Sequence, residues 1–209
     1  MFFDPEQGWR GVVGLLVSGI GHDLNGRLTA LMGIAHVARH AGLDSELLDV
    51  LDDQVQRLET SIRALRNMPV GGPGKPELTR IKDLLQPVVE LYGCRGGGDE
   101  VALEVEEAGP SNAIRMRVRP FIEAVLLMLA AAEHDHGGKH RKLRVQYGSK
   151  HGEAYLLVEA GTGASGPRMA TNATVEEARQ LLELAGGRLE RSELTESGAL
   201  LEVRIQEAV

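Results

Sequence analysis

Between Ser45 and Asn67, the residues Leu47, Leu51, Val55, Leu58, Ile62 and Leu65 follow one another at steps of four, four, three, four and three. That is a heptad seam, and it commits the segment to a long helix laying a narrow apolar stripe on a neighbour. The neighbour lies just upstream. From about Gln7 to His40, Val13, Leu16, Val17, Ile20, Leu24, Leu28, Leu31, Ile34, Ala35 and Ala38 recur at helical spacing, with no proline among them. Gly42 supplies a stop, and "GLDSELL" restarts a helix with Asp44 or Ser45 as N-cap and Glu46 in the first turn. Two long helices joined by a tight turn make an antiparallel hairpin. In a lone hairpin each helix has one neighbour, so one flank of each seam stays uncovered. Pairing two hairpins into a four-helix bundle covers them and predicts a homodimer. The alternative is that the C-terminal half of the chain covers the hairpin.

The pattern changes after "PVGGPGKPE", a Pro/Gly-rich break. It divides the chain into a helical hairpin over 1–68, a linker over 69–77 and a second domain over 78–209. In the second domain "LTRIKDLLQPVVELYG", "PFIEAVLLMLAAAEH" and "TVEEARQLLELAGG" read as helices, the second of them with proline at its start. "EVALEVEE", "AIRMRVR", "KLRVQYG" and "EAYLLVEAG" alternate like strands, and "RLERSEL" with "ALLEVRIQE" reads as a closing hairpin. Helices interleaved with an antiparallel or mixed sheet predict a two-layer α/β sandwich, so the fold class is α+β.

Composition removes several functions. A formal net charge of −7 and the lack of a long basic stripe argue against nucleic-acid binding. The short run "KHRK" (139–142) reads as a solvated loop. The apolar run "GVVGLLVSGIG" (11–21) is too short to span a bilayer and ends on His22-Asp23, so no membrane association is expected. Cys94 is the one cysteine, which fits a reducing, cytoplasmic setting. "HDHGGKH" (134–140) gathers His134, Asp135, His136 and His140, but its spacing matches no strong zinc motif and its glycines mark a turn. No metal site is expected.

Inside the first helix, "GIGHDLNGRL" (19–28) sets a titratable pair among glycines. At about 100° per residue His22 falls opposite the centre of the apolar face, and so points to solvent. Its companions on that side are Ser18, Asn25, Gly26, Thr29 and Gly33, where a merely solvated face would carry Lys and Glu. Small residues leave room for another protein to approach the imidazole. Asp23 is one step round the helix and can reach back to one ring nitrogen. A carboxylate bonded to the Nδ1 proton fixes the tautomer and leaves Nε2 as a nucleophile. His36 and His40 lie two or more turns further on and read as surface residues.

"HDLNGRLTAL" resembles the phosphoacceptor box of sensor histidine kinases, carried here by His22, Asp23, Leu24, Leu28 and Thr29. The hairpin fits that family's dimerisation and histidine-phosphotransfer domain. "TVEEARQLLELAGGRLE" is similar to the helix and turn that end the family's ATP-binding domain, and "EAGTG" (159–163) sits where the family carries Asp-x-Gly-x-Gly. The resemblance covers most of the chain with motifs that decay toward the C-terminus.

Departures from the family decide what the resemblance implies. The helix expected to carry a magnesium-binding asparagine has Ala130 at that position and Leu126 one turn earlier, and neither offers an oxygen to a hard cation. The adenine-binding aspartate is replaced by Glu159. Gly161, Gly163 and Gly166 read as a tight turn left from a degenerate nucleotide site, and the following "PRMATNATVEE" has no glycine for close approach to phosphates. Beside His22, Gly26 stands where the family's phosphatase activity uses an amide or hydroxyl, and Arg27 stands where proline is usual. A chain that keeps the histidine and loses the ATP chemistry resembles the dimeric histidine phosphotransferases of bacterial phosphorelays. That implies His22 as phosphoryl carrier, Asp23 as its orienter, and Asn25 and Arg27 as phosphate contacts, although Arg27 can instead lie along the bundle surface. The partners implied are response-regulator receiver domains or a hybrid histidine kinase. No cofactor is expected on this chain, and Mg²⁺ would come with the receiver. The alternatives are a non-catalytic dimeric adaptor and an active histidine kinase.

Overall fold

A computed structural model describes residues 8–41, 44–69, 72–93, 102–110, 112–134, 142–160, 172–195 and 198–207. Helix α1 (Gly8–Ala41) and helix α2 (Ser45–Arg66) form the hairpin. Asp44 caps α2: its backbone is extended and its carboxylate accepts the Leu47 amide at 2.8 Å. Arg63 and Arg66 fall in the last turn, where cations complement the helix dipole.

The second half begins with strand β1 (Glu77–Arg80), followed by helix α3 (Ile81–Gly93), strand β2 (Ala102–Glu107) and strand β3 (Ala113–Met116). Helix α4 (Val118–His134), strands β4 (Lys142–Lys150) and β5 (Glu153–Ala160), helix α5 (Asn172–Ala185) and strands β6 (Gly187–Thr195) and β7 (Gly198–Gln206) complete it. The helix expected from Leu78 starts three residues later. Leu78, Thr79 and Arg80 are drawn into an antiparallel pair with Arg115, Ile114 and Ala113, so the backbone turns helical only at Ile81. The main sheet runs in the order β2-β4-β5-β7-β6. Only the β2–β4 pair is parallel, so the sheet is mixed.

Along β5 the buried residues Ala154, Leu156, Val158 and Ala160 alternate with partly exposed ones, which assigns one face to the helices and the other to solvent. The solvent face carries cross-strand charge pairs such as Arg188 with Glu153 at 3.1 Å. Helix α4 lies at the centre of the helical layer. From Phe121 to Ala132 every residue except Glu123 is buried, because α1, α3, α5 and the sheet all pack on it.

The base of the hairpin belongs to this same core. Val12, Leu16 and Ile20 of α1, with Ala64 and Met68, join one buried cluster with Phe121, Leu126 and Leu129. The first turn of α1 is tied to α5, where Glu177 accepts the Trp9 amide at 3.1 Å. A carboxylate at a helix N-terminus satisfies an otherwise orphaned N–H and complements the dipole. The second half of the chain therefore covers the lower part of the hairpin. Other apolar residues of the hairpin stay uncovered, although Ile34 of α1 is buried. Leu28 and Met32 of α1 are 49 % and 74 % exposed, and Val55, Ile62 and Leu65 of the α2 seam are 40 %, 39 % and 38 % exposed. The α2 residues fully buried against the rest of the chain are instead Ser61 and Ala64. The leucine-rich seam is thus rotated partly away from α1.

Candidate functional site

His22 is exposed on α1, two residues beyond Ile20, the last residue of that helix buried in the shared core. Ser18, Asn25, Gly26, Thr29 and Gly33 are exposed with it. A Cβ built on Gly21, Gly26 or Gly33 would meet no heavy atom within 4 Å outside the helix's own local backbone. Glycine in a helix interior costs stability relative to alanine, and nothing in the chain's own packing requires it at these positions. The Thr29 hydroxyl donates to the Asn25 carbonyl at 2.9 Å, folding that side chain back onto the helix.

Asp23 turns the other way, toward α2. Arg27, one turn on, donates Nε to Oδ2 at 2.7 Å and Nη2 to Oδ1 at 2.6 Å, a bidentate fork. The Ser61 hydroxyl, buried at 1 % exposure, donates to Oδ2 from α2. Ser61 Oγ also lies 3.2 Å from the Arg57 carbonyl. Its one proton goes to the closer, charged acceptor. Burial pushes the Asp23 carboxyl up. The bonds from Arg27 and Ser61 and the charges of Arg27 and His22 outweigh it, so Asp23 is held below the ordinary aspartate range. It is an ionised strut between the two helices.

This differs from what the sequence suggests. Asp23 and His22 are adjacent, but the carboxylate is engaged by Arg27 and Ser61 and makes no hydrogen bond to the imidazole among the described residues. Arg27, expected to meet phosphate or lie along the bundle, is held on Asp23 and only 19 % exposed. Asn25 stays exposed on the His22 side. Ser61 is the member that sequence reasoning passes over. Its signal is positional: it falls three residues after Leu58 and four before Leu65, on the side of α2 turned toward α1. A polar side chain there needs a partner.

Leu126 and Ala130 are buried on α4 and carry no side-chain oxygen. Glu159, equated with the family's adenine-binding aspartate, pairs with Arg144 and Leu200 across the sheet and lies on the face opposite the helices. It is not brought to α4; the residue at that edge on the helix side is Ala160, buried. Gly161, Gly163 and Gly166, the start of "PRMATNATVEE", Cys94 and residues 135–140 of "HDHGGKH" lie outside the described residues. No group of three metal-ligating side chains occurs among those described. His36 and His40 are exposed with ring centroids 4.7 Å apart. Among the described residues no helix is long and apolar enough to cross a membrane.

The chain matches no protein-family model and no curated protein sequence. Solved structures do match over nearly its whole length. Histidine kinase AdeS of Acinetobacter baumannii superposes with a TM-score of 0.50 at 17% identity, covering 90% of this chain and 98% of that one. The fold is histidine-kinase-like. A structure described as a bacterial phosphotransferase gives a TM-score of 0.50 at 13% identity, covering 92% of this chain and 95% of its own. Histidine kinase ThkA, solved in complex with response regulator protein TrrA, gives 0.50 at 17% identity over 97% of this chain and 65% of that one. The hairpin followed by a sheet layered with helices is the architecture these proteins share with this chain.

Proposed function

We propose that this chain is a two-component signalling protein that carries a phosphoryl group on His22 and exchanges it with receiver-domain aspartates, without using ATP. The observation that carries this reading is the exposed imidazole with open approach on its glycine flanks, standing beside an ionised carboxylate fixed to the neighbouring helix. A buried structural histidine needs neither feature.

The chemistry asks little of the protein. The Nε2 lone pair of neutral His22 attacks the phosphorus of a receiver's aspartyl phosphate. The N–P bond forms as the acyl-phosphate P–O bond breaks, and its electron pair leaves with the receiver's carboxylate. The ring keeps its Nδ1 proton and becomes cationic, which the negative charge of Asp23 favours. Transfer to the next receiver runs the same step in reverse. Mg²⁺ enters with the receiver, on the substrate side.

Two further features support parts of the reading. The exposed apolar residues Leu28, Met32, Val55, Ile62 and Leu65 suit a second hairpin, giving a homodimeric four-helix bundle. The apolar pair Leu126 and Ala130, with Glu159 on the far face of the sheet, favours a phosphotransferase over an autokinase. The helical layer and sheet would then serve to dock the partner. The likeness to a kinase solved with a response regulator suggests receivers as that partner, and the lone Cys94 fits a cytoplasmic setting.

The test is to incubate the chain with isotopically phosphorylated receivers in the absence of ATP and look for base-stable, acid-labile label. Label on the wild type and none on His22→Ala is expected. Binding of phosphorylated receivers without any label would instead favour a dimeric adaptor.

A further inference from the structure

We propose that Ser61 is a positioning residue for the reaction at His22, acting through Asp23. The inference rests on the phosphotransfer reading above.

A carboxylate has about four acceptor sites on its two oxygens. Arg27 takes one on each oxygen of Asp23, and Ser61 takes the second on Oδ2. The site left over is on Oδ1; the adjacent His22 makes no hydrogen bond to it, so the carboxylate acts on the imidazole through its position and charge. Which oxygen remains available is decided by Ser61, since the arginine fork treats the two alike.

Charge balance alone does not call for Ser61. The bidentate guanidinium already supplies a counter-charge to the ionised Asp23. Arg27 and Asp23 also sit on the same helix, so that pair can swing as a unit without changing its own geometry. Ser61 is the fixed point on the other helix. Packing alone does not call for it either: Ala64, on the same side of α2, is fully buried with no polar atom. Nor does the hydroxyl need Asp23 to be satisfied, because the Arg57 carbonyl lies within reach at 3.2 Å. That it is given to the carboxylate registers α1 against α2 at the residue next to the nucleophile.

The experiment follows single-turnover phosphoryl transfer from a phosphorylated receiver to the full chain, at several receiver concentrations. Ser61→Ala should lower the saturating rate constant by between about tenfold and a hundredfold, as small misplacement of a reacting group does, and leave the half-saturating receiver concentration unchanged. In an Asp23→Asn background the same substitution should have no further effect. A full Ser61→Ala loss persisting in that background would show a packing role and overturn the proposal. So would an unchanged rate in Ser61→Ala. If Ser61→Ala does not fold, Ser61→Cys keeps the volume with a much weaker donor and should show the same loss; a wild-type rate there overturns the proposal. Failure of the wild type itself to accept label would overturn the phosphotransfer reading, which is a separate outcome.

Discussion

Ser61 and Asp23, thirty-eight residues apart, are joined by a hydrogen bond from the α2 hydroxyl to the α1 carboxylate. It is a bond between the two helices at the level of His22, made by a buried neutral donor to a charged acceptor. Such bonds contribute more than neutral ones, about 1.5–3 kcal/mol. Ser61→Ala is expected to lower the unfolding free energy by about that much, read from urea denaturation. A loss below about 0.5 kcal/mol would mean that the bond adds nothing net to stability.

Acid should weaken the same contact. The folded Asp23 carboxyl titrates below its unfolded value, so its contribution is fully present above about pH 4 and is lost as pH falls through the folded value. Melting temperatures of the wild type and Asp23→Asn should differ by a constant amount from pH 7 to pH 5, and converge below pH 4. A difference that persists unchanged at pH 3 would contradict the assignment of Asp23 as an ionised strut.

Gly26 separates stability from function. No heavy atom outside the local helix stands within 4 Å of the position its Cβ would take. Gly26→Ala should stabilise the helix by about 0.5–1 kcal/mol, the usual cost of an interior glycine. It should also slow phosphoryl transfer, because the added methyl stands about one turn from the imidazole on the approach side. A stabilised variant with an unchanged rate would place the partner's approach elsewhere on α1.

The two long helices and nearly every element of the second half are legible from hydrophobic period and turn residues, because long amphipathic helices and alternating strands advertise themselves locally. The exception at Leu78–Arg80 is a tertiary effect: a segment that reads as helical is held extended by pairing with Ala113–Arg115, thirty-odd residues later. The exposure of His22 is legible for the same local reason, a polar residue opposite the apolar face of its helix. Its setting is not. That Asp23 turns to α2 depends on how α1 and α2 are rotated, and period alone does not fix the rotation. Glu159 shows the same limit: a motif match gives a position along β5, while the strand's alternation sends the side chain to the face away from α4.

The rotation of α2 has a consequence for assembly. Val55 and Ile62, seven residues apart on the seam, are each about two-fifths exposed. In a four-helix bundle they would be buried against a second copy, so Ile62→Glu should convert a dimer to a monomer in light scattering coupled to size exclusion. A wild type that runs as a monomer at all concentrations would contradict the bundle.

Nucleotide should have no effect on the chain. With Leu126 and Ala130 lining α4 and Glu159 on the far face, millimolar Mg²⁺–ATP is expected to leave the melting temperature unchanged, since a ligand that binds only the native state must raise it. A clear upward shift would restore a kinase reading.

The most direct test of the central claim is a chase. The chain is first labelled by a phosphorylated receiver without ATP, purified, and mixed with a second, unphosphorylated receiver. Label mapped to the peptide carrying His22 and then passed to the second receiver's aspartate is the expected result. Label that never reaches His22, or that reaches it and cannot be passed on, would contradict a phosphoryl carrier.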